Sequence, residues 1–364
     1  MTEKDFIAEK DLFYPTSGKT AWKAPSNIAL VKYWGKHPNQ IPANPSISFT
    51  LDESATKTTV AYKKREQTGN GFSFDFLFEG KPKADFIPKI DIFFERIAPY
   101  LPFLKQFHFT IGTTNSFPHS SGIASSASGM AALSLCLLQI EKQAYPEMST
   151  EYFEQKASFL ARLGSGSACR SILGNLVQWG RTIAIPNSSD LYGISYPFEI
   201  HEDFKHFQDT ILLVHKGKKA VSSTVGHGLM KGHPFADPRF QQAHENLERL
   251  QPIFASGDLE SFINVVESEA LTLHAMMMTS QPYFILMAAN TLEIIQRIWQ
   301  FRKASGIPIC FTLDAGANVH VLYPKKQKER CMHFIQDELV VYCENGQYIC
   351  DQMGRGAQVM EPDR

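Results

Sequence analysis

The segment NSFPHSSGIASSASGMAAL, residues 115–133, combines serines with glycines and then becomes apolar. Where a helix begins, its first backbone N–H groups lack partners and carry the positive end of the helix dipole, so they attract an anion. Glycine and serine leave the backbone open to a phosphate group, and serine hydroxyls can donate hydrogen bonds or bind Mg²⁺. The loop lacks the lysine of a GxxxxGK[ST] motif. The segment therefore predicts a nucleotide phosphate site, with an ordinary N-capped helix behind a tight turn as the alternative.

A second small-residue stretch, RLGSGSACRSILGNLVQWG at residues 162–180, places an arginine among glycines and serines. Arg170 can bind a carboxylate or a phosphate through paired N–H donors, a geometry that lysine cannot copy. Ser165 and Ser167 add hydroxyl groups beside it. We interpret this stretch as part of a site for an anionic ligand, and the alternative is a surface salt bridge.

The first small-residue segment lies between two elements that would hold it in place. Residues 107–115, FHFTIGTTN, alternate as a strand does, with Phe107, Phe109 and Ile111 on one face. Residues 127–143 contain strong helix formers and an apolar stripe. The stripe consists of Met130, Leu133, Leu137 and Ile140. The order strand, loop, helix is therefore predicted here.

The rest of the chain reads as a mixture of strands and helices. Further strands are predicted at 27–34, 46–53, 56–64 and 209–217, with two more around a small-residue turn in 307–324. Helices are predicted at 239–278, divided near Gly257, and at 283–306, closed by Gly306. Loop residues near 186–205 indicate a boundary between two domains, 1–200 and 201–364.

Composition limits the classes of function. The chain has 364 residues, with 36 Lys plus Arg against 37 Asp plus Glu, so its formal charge of −1 predicts neither a nucleic-acid nor a membrane partner. The first residues have no apolar core of a secretory signal, and no apolar run approaches the roughly 18 to 20 residues that cross a bilayer. The six cysteines form no CxxC pair, which favours buried thiols in a reducing, cytoplasmic environment and no structural zinc.

Five motifs together carry a family resemblance. PHSSGIASSASGMAAL resembles the PxxxGLxSSA phosphate loop of the GHMP kinase superfamily. APSNIALVKYWGK with NPSISFTL, GSGSACRS, KKAVSST and TLDAGANV resemble, in the same order over roughly residues 20 to 325, signatures of the mevalonate diphosphate decarboxylase family. The resemblance implies an α+β, GHMP-kinase-like two-lobed fold. It implies an amino-terminal lobe like ribosomal protein S5, a ferredoxin-like carboxy-terminal lobe and an active site in the cleft between them.

The resemblance also implies a reaction, the ATP-dependent decarboxylation of mevalonate 5-diphosphate to isopentenyl diphosphate, with release of ADP, phosphate and CO₂. Asp314 would orient or deprotonate the 3-hydroxyl group for attack on the γ-phosphate. Lys36 would keep Asp314 ionised and offset phosphate charge, and Lys32, with the same charge, is a weaker candidate. Arg170 would bind near the substrate carboxylate.

The remaining site residues follow from the same resemblance. The expected substrate-binding residues are Tyr33, Lys36, Ser165, Ser167, Arg170, Ser223 and Thr224. The expected ATP-binding residues are Ser120, Ser121, Gly122, Ile123, Ala124, Ser125, Ser126 and Lys218. Phosphoryl transfer from ATP needs Mg²⁺ to neutralise the β and γ oxygens, and Ser125 and Ser126 are the candidate ligands.

Three other functions remain open at this point. The chain could phosphorylate a mevalonate-type 3-hydroxyl group without decarboxylation, or it could decarboxylate the 5-monophosphate. A protein of another class, a GHMP-fold protein that binds a metabolite without turnover, would lack the aspartate or the phosphate loop, and this chain has both. The resemblance further suggests a homodimer.

Overall fold

Two β-sheets with helices packed against them form the two lobes of the computed structural model, which describes residues 1–9, 11–66, 69, 71–118, 123–215 and 221–361. The strands in chain order are β1 (Ser17–Val31), β2 (Ser46–Lys64), β3 (Ser73–Phe78), β4 (Lys81–Pro82), β5 (Phe107–Asn115), β6 (Leu176–Trp179), β7 (Ile194–Ser195), β8 (Gln208–Leu212), β9 (Cys310–Leu313), β10 (Val319–Tyr323), β11 (Tyr348–Gln352) and β12 (Gln358–Val359). The α-helices are α1 (Ile87–Ile97), α2 (Ser125–Ala144), α3 (Thr150–Gly164), α4 (Ser223–Gly228), α5 (Ala236–Ser256), α6 (Leu259–Met278), α7 (Ala289–Ser305) and α8 (Lys328–Phe334).

The first lobe is built on a sheet with the order β12-β1-β2-β5-β3-β4, to which β6 and β7 are attached through β2. Its pairs are antiparallel except for β3 and β5, which run parallel. Helix α2 packs on one face of the sheet and α3 packs against α2, and the predicted strand, loop and helix order around residue 120 is confirmed by β5 and α2. The predicted apolar faces of both elements are buried in one core rich in phenylalanine.

Residues 46–64 were expected to form two strands, and this prediction is wrong because β2 is continuous. The polar residues Asp52 and Glu53 do not break the strand, because a carboxylate from the other lobe accepts hydrogen bonds from the backbone there. Asp351 accepts hydrogen bonds from the N–H groups of Asp52 at 2.8 Å, Glu53 at 3.0 Å and Ser54 at 2.7 Å. The strand therefore bends away from regular pairing and then continues.

The second lobe contains the antiparallel sheet β11-β8-β10-β9 and the helices α5 to α8. The predicted break near Gly257 is confirmed, because this residue ends α5 in a left-handed conformation with φ of 80°. Gly306, with φ of 69°, ends α7 as predicted. That helix begins at Ala289 rather than at residue 283, because the chain after α6 is non-helical there, and the N–H group of Phe284 donates back to the carbonyl of Met277.

The two lobes share an apolar interface in which strands β1 and β2 meet α5, α6 and β8. The carboxy-terminal segment then returns to the first lobe, where Trp22 of β1 pairs with Val359 of β12. The division into 1–200 and 201–364 stays a prediction. Within the described ranges, none of the helices combines the length and the apolar character needed to cross a bilayer.

Candidate active site

A cleft of about 520 Å³ lies between the lobes and collects most of the residues predicted from the sequence. Its walls come from the end of β1, the start of α2, the turn at 164–170, α4 and the turn after β9. The predicted site residues that line it are Tyr33, Lys36, Ala124, Ser125, Ser126, Ser165, Ser167, Arg170, Ser223, Thr224 and Asp314. Four of the predicted residues, Ser120, Ser121, Gly122 and Lys218, lie outside the described part of the chain.

The ammonium group in contact with Asp314 belongs to Lys32, whose Nζ lies 3.3 Å from Asp314 Oδ1. Lys32, and not Lys36, is therefore the lysine in a position to keep Asp314 ionised. Strand β1 ends at Val31 and the chain turns at Gly35, with φ of 97°, so Lys36 leaves in another direction and donates to Gln40 Oε1 at 2.8 Å. Lys36 still lines the cleft, and the phosphate contact expected of it stays a prediction.

Lys32 is fully buried, and burial lowers the pKa of its ammonium group, while Asp314 acts in the opposite direction. Asp314 faces the cleft, with 27% of its side chain exposed. Burial likewise lowers the pKa of Lys36, and the exposed Lys89 lines the same cleft. The cleft is a concentrated positive site for an anionic ligand, with Asp314 as the carboxylate among its described lining residues.

Two buried side chains of the second lobe hold the backbone of Lys32. Its N–H group donates to Glu269 Oε2 at 2.9 Å, and its carbonyl accepts from Arg239 Nη2 at 3.1 Å. Glu269 and Arg239 also form a bidentate pair, at 2.6 and 3.0 Å, with side-chain exposures of 0% and 1%. Asn246 completes the set by donating to Glu269 Oε1 at 2.7 Å. This network fixes the point at which β1 ends and hence the direction of Lys32.

Helix α6 also contacts the other member of the ion pair. His274 Nε2 lies 3.1 Å from the carbonyl oxygen of Asp314 and donates to it. Glu269 and His274 are therefore two side chains of one helix that hold Lys32 and Asp314 respectively. The sequence analysis missed Glu269, Arg239 and His274, because they lie in ordinary helical sequence without a motif.

Arg170 is buried at the back of the cleft. Its Nε donates to Ser48 Oγ at 3.0 Å and its Nη1 to Ser46 Oγ at 2.5 Å. Its guanidinium group also lies 5.7 Å from the ring centre of Trp179. Burial lowers the pKa of Arg170, yet its hydrogen-bond partners among the described residues are neutral. Its charge therefore remains available to an anion in the cleft.

Tyr33 and Gly166 meet closely at this wall. A Cβ atom on Gly166 would lie 2.7 Å from Tyr33 Oη, so any larger residue would displace the Tyr33 ring. The hydroxyl group of Tyr33 is buried and has no hydrogen-bond partner among the described residues. Burial raises its pKa well above the usual range, so it remains a neutral donor. Such a hydroxyl is suited to a polar ligand that enters the cleft.

The described end of the serine loop leads directly into α2. Ala124 adopts a left-handed conformation with φ of 43° immediately before Ser125, the first residue of the helix. Ser126 Oγ lies 3.4 Å from Ser165 Oγ, so the two small-residue stretches meet. Ile123 does not line the cleft, because its side chain is buried in the apolar interface and its carbonyl accepts from Ser26 Oγ at 2.6 Å. Its predicted contact with ATP could therefore come only from its backbone.

A smaller apolar pocket of about 80 Å³ adjoins the cleft and shares Lys89, Ser125 and Ser126 with it. Its other lining residues include Phe76, Phe78, Phe86, Ile90 and Met130. The rings of Phe76 and Phe86 are stacked, with centroids 5.3 Å apart. An aromatic, apolar pocket beside the phosphate loop has the character needed to hold a planar base.

The described part of the cleft offers few side chains that could bind Mg²⁺. Among the described residues, no group of three or more His, Cys, Asp or Glu side chains could hold a metal ion. Mg²⁺ usually enters with nucleotide phosphates and keeps several waters, so the hydroxyl groups of Ser125 and Ser126 on one wall fit that mode of binding.

A histidine that the sequence analysis left aside also lines the cleft. His227 of α4 accepts a hydrogen bond at Nδ1 from the N–H group of Gly35 at 3.0 Å. Its ring lies 4.3 Å from that of Tyr33 and 4.6 Å from that of Trp34, measured between centroids. Burial, together with the charges of Lys36 and Arg170, lowers the pKa of His227 to about 3.

Comparison with known proteins identifies the family of this chain. Residues 24–190 match the model of the diphosphomevalonate decarboxylase-like N-terminal domain, and residues 210–361 match that of the mevalonate 5-diphosphate decarboxylase C-terminal domain. The diphosphomevalonate decarboxylase of Debaryomyces hansenii is 29% identical over 328 residues, which cover 86% of this chain and 81% of the relative. That of Ganoderma lucidum is 27% identical over 330 residues, covering 86% and 80%.

Solved structures give the same result. The mevalonate diphosphate decarboxylase of Staphylococcus aureus has a TM-score of 0.81 at 27% identity, covering 95% of this chain and 98% of its own. That of Enterococcus faecalis has a TM-score of 0.78 at 27% identity, covering 95% and 100%. The fold is that of a two-lobed, GHMP-kinase-like α+β protein, which confirms the predicted fold class. Within that class, the chain belongs to the mevalonate diphosphate decarboxylase family.

Proposed function

We propose that the chain catalyses the ATP-dependent decarboxylation of mevalonate 5-diphosphate to isopentenyl diphosphate, a step of isoprenoid biosynthesis. The observation that carries this proposal is the Lys32–Asp314 ion pair at 3.3 Å, in the same cleft as the start of α2 and Arg170. A base, a phosphate site and a carboxylate-binding guanidinium are the three parts that the reaction requires. Membership of the family supports the same activity.

The base in this proposal is Asp314. Its carboxylate accepts the proton of the 3-hydroxyl group while the hydroxyl oxygen attacks the γ-phosphorus of ATP, and the bond to ADP breaks. The new 3-phosphate then leaves with the electron pair of the C3–O bond. The C1–C2 bond breaks at the same time, its electrons form the C2–C3 double bond, and CO₂ is released. The Lys32 ammonium keeps Asp314 ionised, and so takes the role first expected of Lys36.

Different side chains of the cleft bind the carboxylate and the diphosphate of the substrate. Arg170 binds the C1 carboxylate with its paired N–H donors, and Tyr33 donates its hydroxyl group nearby. Ser165, Ser167, Ser223 and Thr224 surround the 5-diphosphate with hydroxyl donors. Lys36 offsets phosphate charge from the cleft wall.

The nucleotide lies with its phosphates at the start of α2 and its base in the adjoining apolar pocket. Ser125 and Ser126 border both spaces, so the triphosphate would pass between them. The hydroxyl groups of Ser125 and Ser126 would hold Mg²⁺ together with the nucleotide, and the ion would neutralise phosphate charge during the transfer. A related structure, of the protein MDDEF, was solved in complex with MVAPP, AMPPCP and magnesium.

The decisive experiment is incubation of the chain with ATP and mevalonate 5-diphosphate, with ADP, phosphate and CO₂ measured together. The proposal requires the three products in equal amounts. ADP without CO₂ would indicate a 3-kinase, and turnover of the 5-monophosphate alone would indicate a phosphomevalonate decarboxylase. Binding of both ligands without any product would indicate a metabolite-binding protein.

We also propose a cytoplasmic location and a homodimer. All six cysteines are free, and five of them are buried, which suits a reducing compartment. The homodimer rests on the family resemblance alone, and light scattering across a concentration series would test it. A constant monomer mass would contradict it.

A further inference from the structure

His227 has a fixed orientation at the wall of the cleft. Its ring packs against those of Tyr33 and Trp34, and its Nδ1 accepts the hydrogen bond from the N–H group of Gly35. A ring that contacts two aromatic rings and is hydrogen-bonded at one nitrogen cannot turn freely. Its other nitrogen, Nε2, has no hydrogen-bond partner among the described residues.

The hydrogen bond at Nδ1 also fixes where the proton sits. A backbone N–H group only donates, so Nδ1 must be unprotonated, and the proton of the neutral ring is on Nε2. The ring remains neutral at physiological pH, because burial and the nearby cations Lys36 and Arg170 hold its pKa far below 7. The cleft thus contains an N–H donor that carries no charge of its own.

The neighbourhood indicates which ligand group this donor meets. His227 lies four residues after Ser223 on α4, and residues with this spacing share one helix face. Lys36 and Arg170 lie close enough to lower its pKa, so the space beside the ring has a positive potential. An N–H donor in a positive region suits a phosphate group and not a cation.

We propose that His227 is a further substrate-binding residue of this chain, whose Nε2–H group donates a hydrogen bond to the 5-diphosphate. This assignment rests on the proposed function, since it needs that substrate in the cleft. The donor is ready before the ligand arrives, because the contacts with Gly35, Tyr33 and Trp34 already hold the ring in place.

Two substitutions separate the Nε2–H donor from the bulk of the ring. In His227→Asn the side-chain oxygen can still accept from Gly35, but the reach of Nε2 is lost. In His227→Gln the longer amide places an N–H donor near the original Nε2. His37→Asn is the matched control, because His37 is exposed and does not line the cleft.

Binding of mevalonate 5-diphosphate is measured by calorimetry without ATP, and KM values are measured for both substrates. We expect His227→Asn to raise the Kd and KM of mevalonate 5-diphosphate roughly ten- to hundredfold, as for a lost hydrogen bond to a charged group. We expect His227→Gln and His37→Asn to stay within about threefold of the parent, and the KM of ATP to change little in all three.

Three outcomes would overturn the assignment to His227 while leaving the proposed function intact. These are an unchanged Kd in His227→Asn, an equal loss in His227→Gln, which would indicate ring packing alone, and a selective rise in the KM of ATP. If the parent itself neither binds nor converts mevalonate 5-diphosphate, the proposed function and this assignment both fail.

Discussion

Replacement of Glu269 by glutamine removes the charge that holds the end of β1. The carboxylate accepts hydrogen bonds from Arg239, Asn246 and the backbone of Lys32, and glutamine offers one oxygen in place of two. The amide NH₂ group of glutamine would then face a donor. The Arg239 side chain, 1% exposed, would be left as a buried charge without its partner. Breaking such a pair costs about 3 to 5 kcal/mol, so we expect the free energy of unfolding to fall by about that amount.

The same substitution should also slow the reaction in the molecules that remain folded. Lys32 loses the acceptor for its N–H group, so its ammonium group shifts away from Asp314. A misplacement of about 1 Å in a catalytic arrangement can cost about a hundredfold in rate. We therefore expect kcat per folded molecule to fall roughly ten- to hundredfold, with a smaller change in the KM of ATP. Steady-state kinetics combined with urea unfolding would measure both quantities.

Glu267 provides the matched control on the same helix. It accepts hydrogen bonds from Arg302 at 2.7 and 3.0 Å and from Trp299 at 2.8 Å, but it holds no residue of the cleft. The side chain of Arg302 is 25% exposed, so water can solvate the unpaired charge in Glu267→Gln. We expect a loss of about 1 to 3 kcal/mol in stability and no change in kcat per folded molecule. Equal kcat values for the two variants would refute the reasoning, since Glu269 would then be purely structural.

Three further predictions concern the catalytic base, the phosphate site and a helix cap. Asp314→Asn should bind both substrates nearly as the parent does but lose about a hundred- to ten-thousandfold in kcat, because an amide cannot accept the proton. In contrast, Arg170→Lys should raise the KM of mevalonate 5-diphosphate. An intact kcat in Asp314→Asn would mean that another residue is the base. Ser126→Ala should raise the KM of ATP without lowering the melting temperature, because this exposed hydroxyl carries little core energy; a lowered melting temperature with unchanged kinetics would make it structural. Hydrogen bonds from Ser261 hold the pKa of Asp258 below its usual value. The stabilising effect of this cap is therefore present above the pKa of Asp258 in the unfolded chain, and it is lost as the pH falls through the pKa in the folded protein. Urea unfolding of Asp258→Ala between pH 2 and 7 should show a loss of stability that shrinks toward acid, and a loss independent of pH would contradict this.

The local parts of the site could be predicted from the sequence. Apolar residues alternate along strand β5 and recur at helical spacing along α2, so both elements could be predicted. The glycine and serine residues between them indicate that a ligand can approach the backbone closely. Arg170 also stands in a short stretch whose composition already suggests a ligand. The predictions for Ser120 to Gly122 and for Lys218 fall outside the described residues and stay predictions.

The choice between Lys32 and Lys36 could not be predicted locally. Both lysines lie in one short segment, and their directions depend on where β1 ends. That end is fixed by Glu269, which is distant in sequence and lies in an unremarkable helix. His227 escaped notice for a similar reason, because its role depends on Gly35, Tyr33 and Trp34 in the other lobe. Contacts between segments that are distant in sequence determine the direction of these side chains, and such contacts produce no periodic pattern in the local sequence.

The return of the carboxy-terminal segment to the first lobe has a consequence for how the chain is made. Ala357 donates to the carbonyl of Ile172, and β12 extends the sheet beside β1. Gly356 must be glycine for this, since a Cβ atom would lie 2.7 Å from the same carbonyl oxygen. A chain emerging from the ribosome presents the first lobe early, yet that lobe receives its last strand only when nearly all of the second has been translated. The edge of the first sheet at β1 therefore stays unpaired until synthesis has passed residue 359.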